Sequence, residues 1–297
     1  MSVVRLGTRG SPLAQAQTAL AAAALAAHGV DVEVTVISTR GDQAPAVPLG
    51  ELGPGAFASA LEEALLAGAI DIAVHSAKDL TGEQPAGLEL AAFLERADPR
   101  DAWCGEARAL GDIPVGARVG TSALRRIAAL RAARPDLTMV PIRGNVQTRL
   151  DHRGTSGLDG VVLAACGLER VGLTHEIGFR FPIETLLPEA GQGAIALQTR
   201  SGDAARCVAI DHLDTRAAVT AERAVTRRLG GGCRVPVAAH ALRAERGWRL
   251  IGWIGAPDGS TSLRHEAAGA EPHALVDDVV EALLHAGGAE LLREAGA

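Results

Sequence analysis

Of the 29 lysines and arginines in this 297-residue chain only Lys78 is a lysine, and it stands in Asp71-Ile-Ala-Val-His-Ser-Ala-Lys-Asp-Leu80. Arginine is a fixed planar cation, whereas lysine is a compact ammonium that loses its proton when desolvated. An arginine-biased composition would account for one stray lysine. Its neighbours give a second account. His75, Ser76, Lys78 and Asp79 are four polar or ionisable groups at the carboxyl end of an apolar strand, where open α/β sheets place their ligands. Such a cluster supports anion binding and proton transfer.

A cationic set accompanies it. Arg9 follows Gly7-Thr8, Arg125 and Arg126 follow Gly120-Thr121-Ser122, and Arg143 and Arg149 flank Gly144-Asn145. Ser11 and Ser122 stand where helices are expected to begin, and the exposed N–H groups and dipole of a helix start attract anions. Each serine is equally an ordinary cap. Arg125 and Arg126 point about 100° apart on a helix, so one of them is expected to face solvent or pair with an acid. Five arginines, one lysine and two helix ends directed at one cleft, in a protein of net charge −6, describe a site for a ligand with several carboxylates or phosphates. The arginine fork suits carboxylates, and no Gly-rich phosphate loop is present. Asp79 runs against this pattern. An acid beside Lys78 weakens anion binding unless it stabilises a developing positive charge or moves a proton; the alternative is a salt bridge to a neighbouring arginine. Cys233 follows Gly230-Gly-Gly232, a run that lets backbone approach closely. Its thiol reads as nucleophile, attachment point or filler, with no neighbouring histidine to form a Cys/His pair.

The elements that must position these groups read as βα alternation over the first two thirds of the chain. Strands are expected at 3–8, 32–38 and 71–77, with helices from Ser11-Pro12 to about Ala27 and over 57–67. The grammar repeats with strands at 118–121, 137–142 and 158–165 and a helix over 122–133. Val4–Thr8 matches Ala117–Thr121, Thr39–Asp42 matches Ile142–Asn145, and Asp71–Ala77 matches Asp159–Ala165. Three landmarks in one order predict two similar α/β domains. Ala194–Thr199 is expected to return the chain to the first domain, two crossing segments making a hinge. A helix over 215–229, strands near 235–243 and 248–254, a turn at Pro257-Asp-Gly259 and a last helix from about His273 predict a small α+β third domain. The expected division is 1–95 with 194–213, then 99–190, then 215–297.

Composition narrows the rest. The length exceeds one ordinary core, and no apolar run spans a bilayer, so a cytoplasmic location is expected. Four widely spaced cysteines without a CxxC pair argue against zinc or a disulfide framework. With no tyrosine, few other aromatics and a net acidic charge, nucleic-acid binding is not expected.

Together these residues resemble the porphobilinogen deaminase (hydroxymethylbilane synthase) family over essentially the whole chain. The carrying segments are Leu6–Ala14, Thr39–Asp42, Asp71–Asp79, Arg96 with Asp98–Asp101, Gly120–Arg126, Arg143–Arg149, Gly191–Gly193, Thr220–Arg223 and Gly231–Pro236. The resemblance implies two domains like those of periplasmic binding proteins around a cleft, plus the small C-terminal domain. It implies a transferase of heme and porphyrin biosynthesis with a dipyrromethane cofactor on Cys233 through a thioether. Porphobilinogen loses ammonia to give an azafulvene, which the cofactor's free α-carbon attacks; after four additions, hydrolysis releases hydroxymethylbilane. It further implies Asp79 as the catalytic acid. Cofactor binding falls to Ser76, Lys78, Thr121, Ser122, Arg125, Arg126 and Asp42, and substrate binding to Arg9, Ser11, Arg143, Arg149, Arg170, Gln192 and Phe57. A monomer with no metal, nucleic-acid or membrane partner is the family expectation. One segment departs: Gly50–Phe57 is shorter than the family's usual mobile loop and lacks a lysine, with Glu51 and Pro54 near positions that are often basic. Two rivals remain. A non-catalytic module for a polycarboxylate would share the cleft without needing Cys233 or Asp79, and a Schiff-base enzyme would use Lys78 without needing the arginines.

Overall fold

The computed structural model describes residues 3–38, 58–80, 83–231 and 235–296. These fall into two compact units, Met1–Ala97 with Gly193–Arg216, and Asp98–Gln192 with Ala217–Ala297.

The first unit is built on a five-stranded sheet. β1 (Val4–Arg9) pairs in parallel with β2 (Val32–Ile37) and β3 (Ile72–Ser76), and β10 (Ile195–Arg200) runs antiparallel between β3 and β4 (Leu88–Phe93). The order is β2-β1-β3-β10-β4. Helix α1 (Pro12–Ala27) begins as its sequence predicts: Ser11 Oγ accepts the Ala14 N–H at 3.3 Å and Pro12 occupies the first turn. It buries Ala21 and Leu25 against Leu6, Ile72 and Leu197; each large side chain so buried contributes about 1.5–3 kcal/mol. A shorter helix, α2 (Ser59–Leu66), buries Leu61 and Leu65 with Ile70.

The second unit repeats the plan. β6 (Arg118–Gly120) pairs in parallel with β7 (Thr138–Val140) and β8 (Gly160–Ala164), while β5 (Asp101–Gly105) runs antiparallel between β8 and β9 (Phe179–Arg180), giving β7-β6-β8-β5-β9. In each sheet the antiparallel fourth strand is the one that follows a crossing of the chain between units, after Gln192 for β10 and after Ala97 for β5. The expected repeat is thus present in the topology. It also extends to side chains. The Asp71 carboxylate accepts the Arg5 N–H at 3.0 Å while Asp71 N–H donates to Arg5 C=O, and Asp159 treats Arg118 in the same way, its carboxylate at 2.7 Å.

A third, antiparallel sheet of β11 (Val237–Arg243), β12 (Trp248–Gly255) and β13 (Ser262–Gly269) completes this unit. Helix α6 (Leu213–Arg228) and helices α7 (Val276–Leu283) and α8 (Ala289–Glu294) belong to the same part of the chain. Val225, Leu250, Ile254, Val279 and Leu283 form its core. The α/β expectation with a small α+β C-terminal part therefore holds. Sequence reading passed over β4, β5, β9 and β13, and the helices α4 (Val146–Thr155) and α5 (Ala165–Arg170); α3 is Leu124–Ala133.

Candidate active site

In the first unit the expected residues gather at the carboxyl ends of β1 and β3. Arg9 is the last residue of β1, and a single 3-10 turn, Ala77–Asp79, follows β3. Ser76 is fixed by two bonds with buried Gln17 of α1, its Oγ accepting from Nε2 at 2.9 Å and donating to Oε1 at 3.0 Å. Arg9, Gln17, His75, Ser76 and Asp79 line one pocket. Lys78 is half-buried and engaged, whereas Asp79 is exposed. Among the described residues Asp79 makes no ion pair, so the salt-bridge account of it finds no support here. His75 is 6 % exposed, and burial, reinforced by the Arg9 charge, pushes its imidazole down to about 4.

In the second unit two expectations are corrected. Ser122 does not cap a helix. Its Oγ donates to Ile142 C=O at 2.7 Å and accepts the Ile142 N–H at 3.0 Å, fastening the end of β7, and α3 starts two residues later with Ala123 in the cap position. Arg125 and Arg126 do not diverge either: the acid partner expected for one of them serves both. Both are buried, and both converge on Asp101, which is wholly buried. Arg125 reaches Oδ2 at 2.6 Å and Oδ1 at 3.2 Å, while Arg126 bonds Oδ1 through Nε and Nη2. Long side chains bring together two residues whose Cβ vectors diverge. The cations hold the Asp101 carboxyl far below the usual range against the opposing effect of burial.

The donors of the two arginines are spent differently. Arg125 gives Nε to Glu189 at 2.9 Å, Nη1 to Asp101 and Leu187 C=O, and Nη2 to Asp101 and Gln192 Oε1, so all five N–H groups meet protein acceptors. Arg126 makes three such bonds, the third from Nη1 to Val162 C=O at 2.8 Å. Two of its N–H groups remain.

Gln192 donates to Asp101 Oδ1 at 2.9 Å and to Pro99 C=O at 2.7 Å. Its flanking glycines both have positive φ, +75° at Gly191 and +92° at Gly193, a region costly to other residues, and this reversal sends the amide inward. Glu222, also wholly buried, anchors the same loop: one carboxylate oxygen accepts Gly191 N–H at 2.7 Å and the other accepts Ala241 N–H at 2.8 Å. Thr121 is buried at the end of β6. Arg143 precedes α4, whose start is capped by Asn145 on Thr148 N–H at 2.9 Å; Arg149 Nε donates to Gly144 C=O at 2.8 Å. Arg170 ends α5, and burial pushes its guanidinium below its usual range. Cys233, Asp42, Phe57 and the loop 50–57 lie outside the described residues.

The family model described as "Porphobilinogen deaminase, dipyromethane cofactor binding domain" matches residues 4–207, and "Porphobilinogen deaminase, C-terminal domain" matches 216–285. The chain belongs to the porphobilinogen deaminase family. It is 45% identical to the porphobilinogen deaminase of Pelobacter propionicus, with 98% of this chain and 96% of that one covered, and 47% identical to that of Roseiflexus castenholzii, with 97% of each covered. Among solved structures it overlaps an ABC transporter periplasmic substrate-binding protein from Coxiella burnetii at a TM-score of 0.41 and 15% identity, covering 73% of this chain and 92% of that one. A methionine-bound nutrient binding protein from Burkholderia cenocepacia gives 0.42 and 13%, covering 72% and 93%. Those values add nothing to what the strand order already shows. Within the family motifs, sequence reasoning passed over the roles of Asp101 and Glu222, and outside them those of Glu189 and Gln198.

Proposed function

We propose that this chain catalyses the porphobilinogen deaminase (hydroxymethylbilane synthase) reaction, joining four porphobilinogen molecules head to tail with loss of ammonia to give hydroxymethylbilane in tetrapyrrole biosynthesis. The observation that carries the reading is Asp79, an exposed carboxylate without an ion pair among the described residues, in a pocket that also holds Arg9, in a chain matched over 4–207 and 216–285 by the two family models. A binding module for polycarboxylates gains nothing from that acid. Positive charge developing on a pyrrole does.

The residues present suit the dipyrromethane cofactor, whose rings carry carboxylates. Arg126 keeps two N–H groups beyond its protein bonds, and Thr121, Ser122 and Arg143 follow strand ends of one sheet as Arg9 and Lys78 do in the other. Attached to Cys233, the cofactor supplies the nucleophilic pyrrole carbon to which the first unit is joined. Lys78, Thr121 and Arg126 hold its carboxylates; Ser76, Ser122 and Asp42 contact it in other ways, since the two hydroxyls donate within the protein and a carboxylate only accepts. Arg125 has no donor left for a ligand, so its part is to fix Asp101 and through it Arg126. Arg9, Ser11, Arg143, Arg149 and Arg170, with Phe57, hold substrate units. Anion binding relieves the desolvation that Arg170 suffers. Gln192 serves through its bonds to Asp101 and Arg125. Asp79 accepts pyrrole N–H bonds and stabilises cationic intermediates, a contribution made in the transition state. The same reading takes 1–95 with 194–213, 99–190 and 215–297 as the three domains of a cytoplasmic monomer; no helix among the described residues is long and apolar enough to cross a membrane.

The test compares intact masses of the purified protein and its Cys233→Ala variant, with product formation from porphobilinogen. A covalent excess that maps to Cys233, absent from a folded and inactive variant, is expected. A wild-type mass equal to that of the bare chain, with no product, would remove the reading.

A further inference from the structure

We propose that His75 presents an unprotonated Nδ1 to the pocket beside Asp79 and there accepts a hydrogen bond from an N–H group of the substrate, orienting it. The inference rests on the porphobilinogen reading and adds a positioning residue to it.

The orientation follows from a chain of side chains across three elements. Gln198 of β10 donates through Nε2 to Glu62 Oε1 of α2 at 3.2 Å and to Gln84 Oε1 at 2.8 Å. A carboxylate oxygen accepts, so it fixes which end of the Gln198 amide is nitrogen. The amide oxygen is thereby turned on His75 Nε2, at 3.0 Å. That nitrogen must carry the hydrogen. In a neutral ring the other nitrogen is then a bare acceptor, and among the described residues Nδ1 makes no hydrogen bond.

The surroundings keep the ring neutral. The groups that face it are Arg9 from β1, Gln198 from β10 with Glu62 behind it, and Asp79 from the turn after β3. Burial and Arg9 disfavour the imidazolium more than Gln198 favours it, which leaves it neutral down to about pH 4. The pocket thus offers two acceptors of different character, an exposed carboxylate and a neutral lone pair. Porphobilinogen carries two kinds of N–H donor, the pyrrole and the aminomethyl ammonium. An imidazolium here would repel both the ammonium and any cation formed from it; a lone pair holds the donor and adds no charge. No proton is transferred in this step.

The experiment uses cofactor-loaded enzyme labelled with 15N-histidine, the His75 signals being those missing from the His75→Asn spectrum. The expected state is neutral with the hydrogen on Nε2 from pH 8 to pH 5, and porphobilinogen should shift the Nδ1 resonance. An analogue lacking the aminomethyl arm assigns the donor: a retained shift points to the pyrrole N–H, a lost shift to the ammonium. Steady-state kinetics give the second readout. His75→Asn keeps an acceptor near the Nδ1 position and should hold KM within about threefold, whereas His75→Leu should raise KM at least about tenfold. A hydrogen on Nδ1, an imidazolium at pH 6, an Nδ1 signal indifferent to porphobilinogen, or equal KM for the Asn and Leu variants would each overturn the proposal. Because every arm is read in enzyme that turns over porphobilinogen, these failures are distinct from failure of the reaction assignment.

Discussion

Arg126 grips a single oxygen of Asp101 with two of its nitrogens, Nε at 3.1 Å and Nη2 at 2.7 Å. Arg125 takes the other oxygen at 2.6 Å and shares the first at 3.2 Å, so one carboxylate at zero exposure serves two buried guanidinium groups. Removing it strands both. Asp101→Ala should lower stability by about 3–5 kcal/mol, the usual result of breaking a buried ion pair from one side. Urea denaturation of the variant and the parent protein, both without cofactor, measures this; equal midpoints would mean that the cluster is not coupled to folding.

The unequal use of donors predicts unequal variants. Arg125→Lys loses bonds to Glu189, Leu187 and Gln192 that are internal to the protein, so it should unfold earlier yet take up cofactor once folded. Arg126→Lys should take up cofactor poorly even where it is folded, since one charged hydrogen bond is worth about 1.5–3 kcal/mol, or roughly tenfold to a hundredfold in binding. Intact mass after exposing each refolded variant to porphobilinogen separates the two. Identical loading would contradict the division of roles.

Asp79→Asn keeps size and an acceptor but removes the charge. It should carry cofactor and bind porphobilinogen, yet turn over about a hundredfold more slowly, because losing one such electrostatic group costs on the order of 3 kcal/mol. A single-turnover assay on loaded enzyme keeps assembly defects out of the comparison. A near-normal rate there would leave Asp79 without a chemical role.

Acid should destabilise the fold in two stages. The His75 imidazole, ordinarily near 6.5, sits at about 4 when folded, so between these values the unfolded chain binds the extra proton. Stability from this group is fully present above about pH 6.5 and lost as pH falls toward 4, about 3 kcal/mol in all. Below that window Asp71 and Asp101, both held under the ordinary 3.8 by their arginine partners, add a second decline as they protonate. Urea midpoints from pH 8 down to about pH 2 check this. In His75→Gln the slope between 6.5 and 4 should flatten while the steeper loss below 4 remains.

Much of this was legible in the chain, for reasons that differ by residue. Ser11-Pro12 announced a helix start because capping is local chemistry, and Asp71–Ala77 against Asp159–Ala165 announced a repeated strand because buried parallel strands are apolar throughout. β13 was hidden: in Ser262–Gly269 charged residues sit on an edge strand that is mostly exposed, and composition there resembles a loop. The convergence of Arg125 and Arg126 was hidden too, since helical angles describe Cβ directions and not where a long side chain ends. Asp101, Gln198 and Glu222 act on partners far away in sequence, 19 to 136 residues off in the bonds described, and no local pattern reports such pairings.

The strand order of the first sheet sets a timetable for its assembly. Among the described residues β4 pairs only with β10, and β10 alone joins it to β3. Some hundred residues separate Phe93 from Ile195, and a ribosome adding about 5–20 residues per second needs roughly 5–20 s to cross them. Over that interval Leu88–Phe93 is a finished strand with nowhere to pair, while every strand of the second sheet, from Asp101 to Arg180, emerges in order. Of these two sheets, the one that begins first closes last. A nascent chain stalled before residue 195 should therefore present Leu88–Phe93 as an unpaired apolar segment, the form in which chains of this connectivity are most open to chaperones and to aggregation.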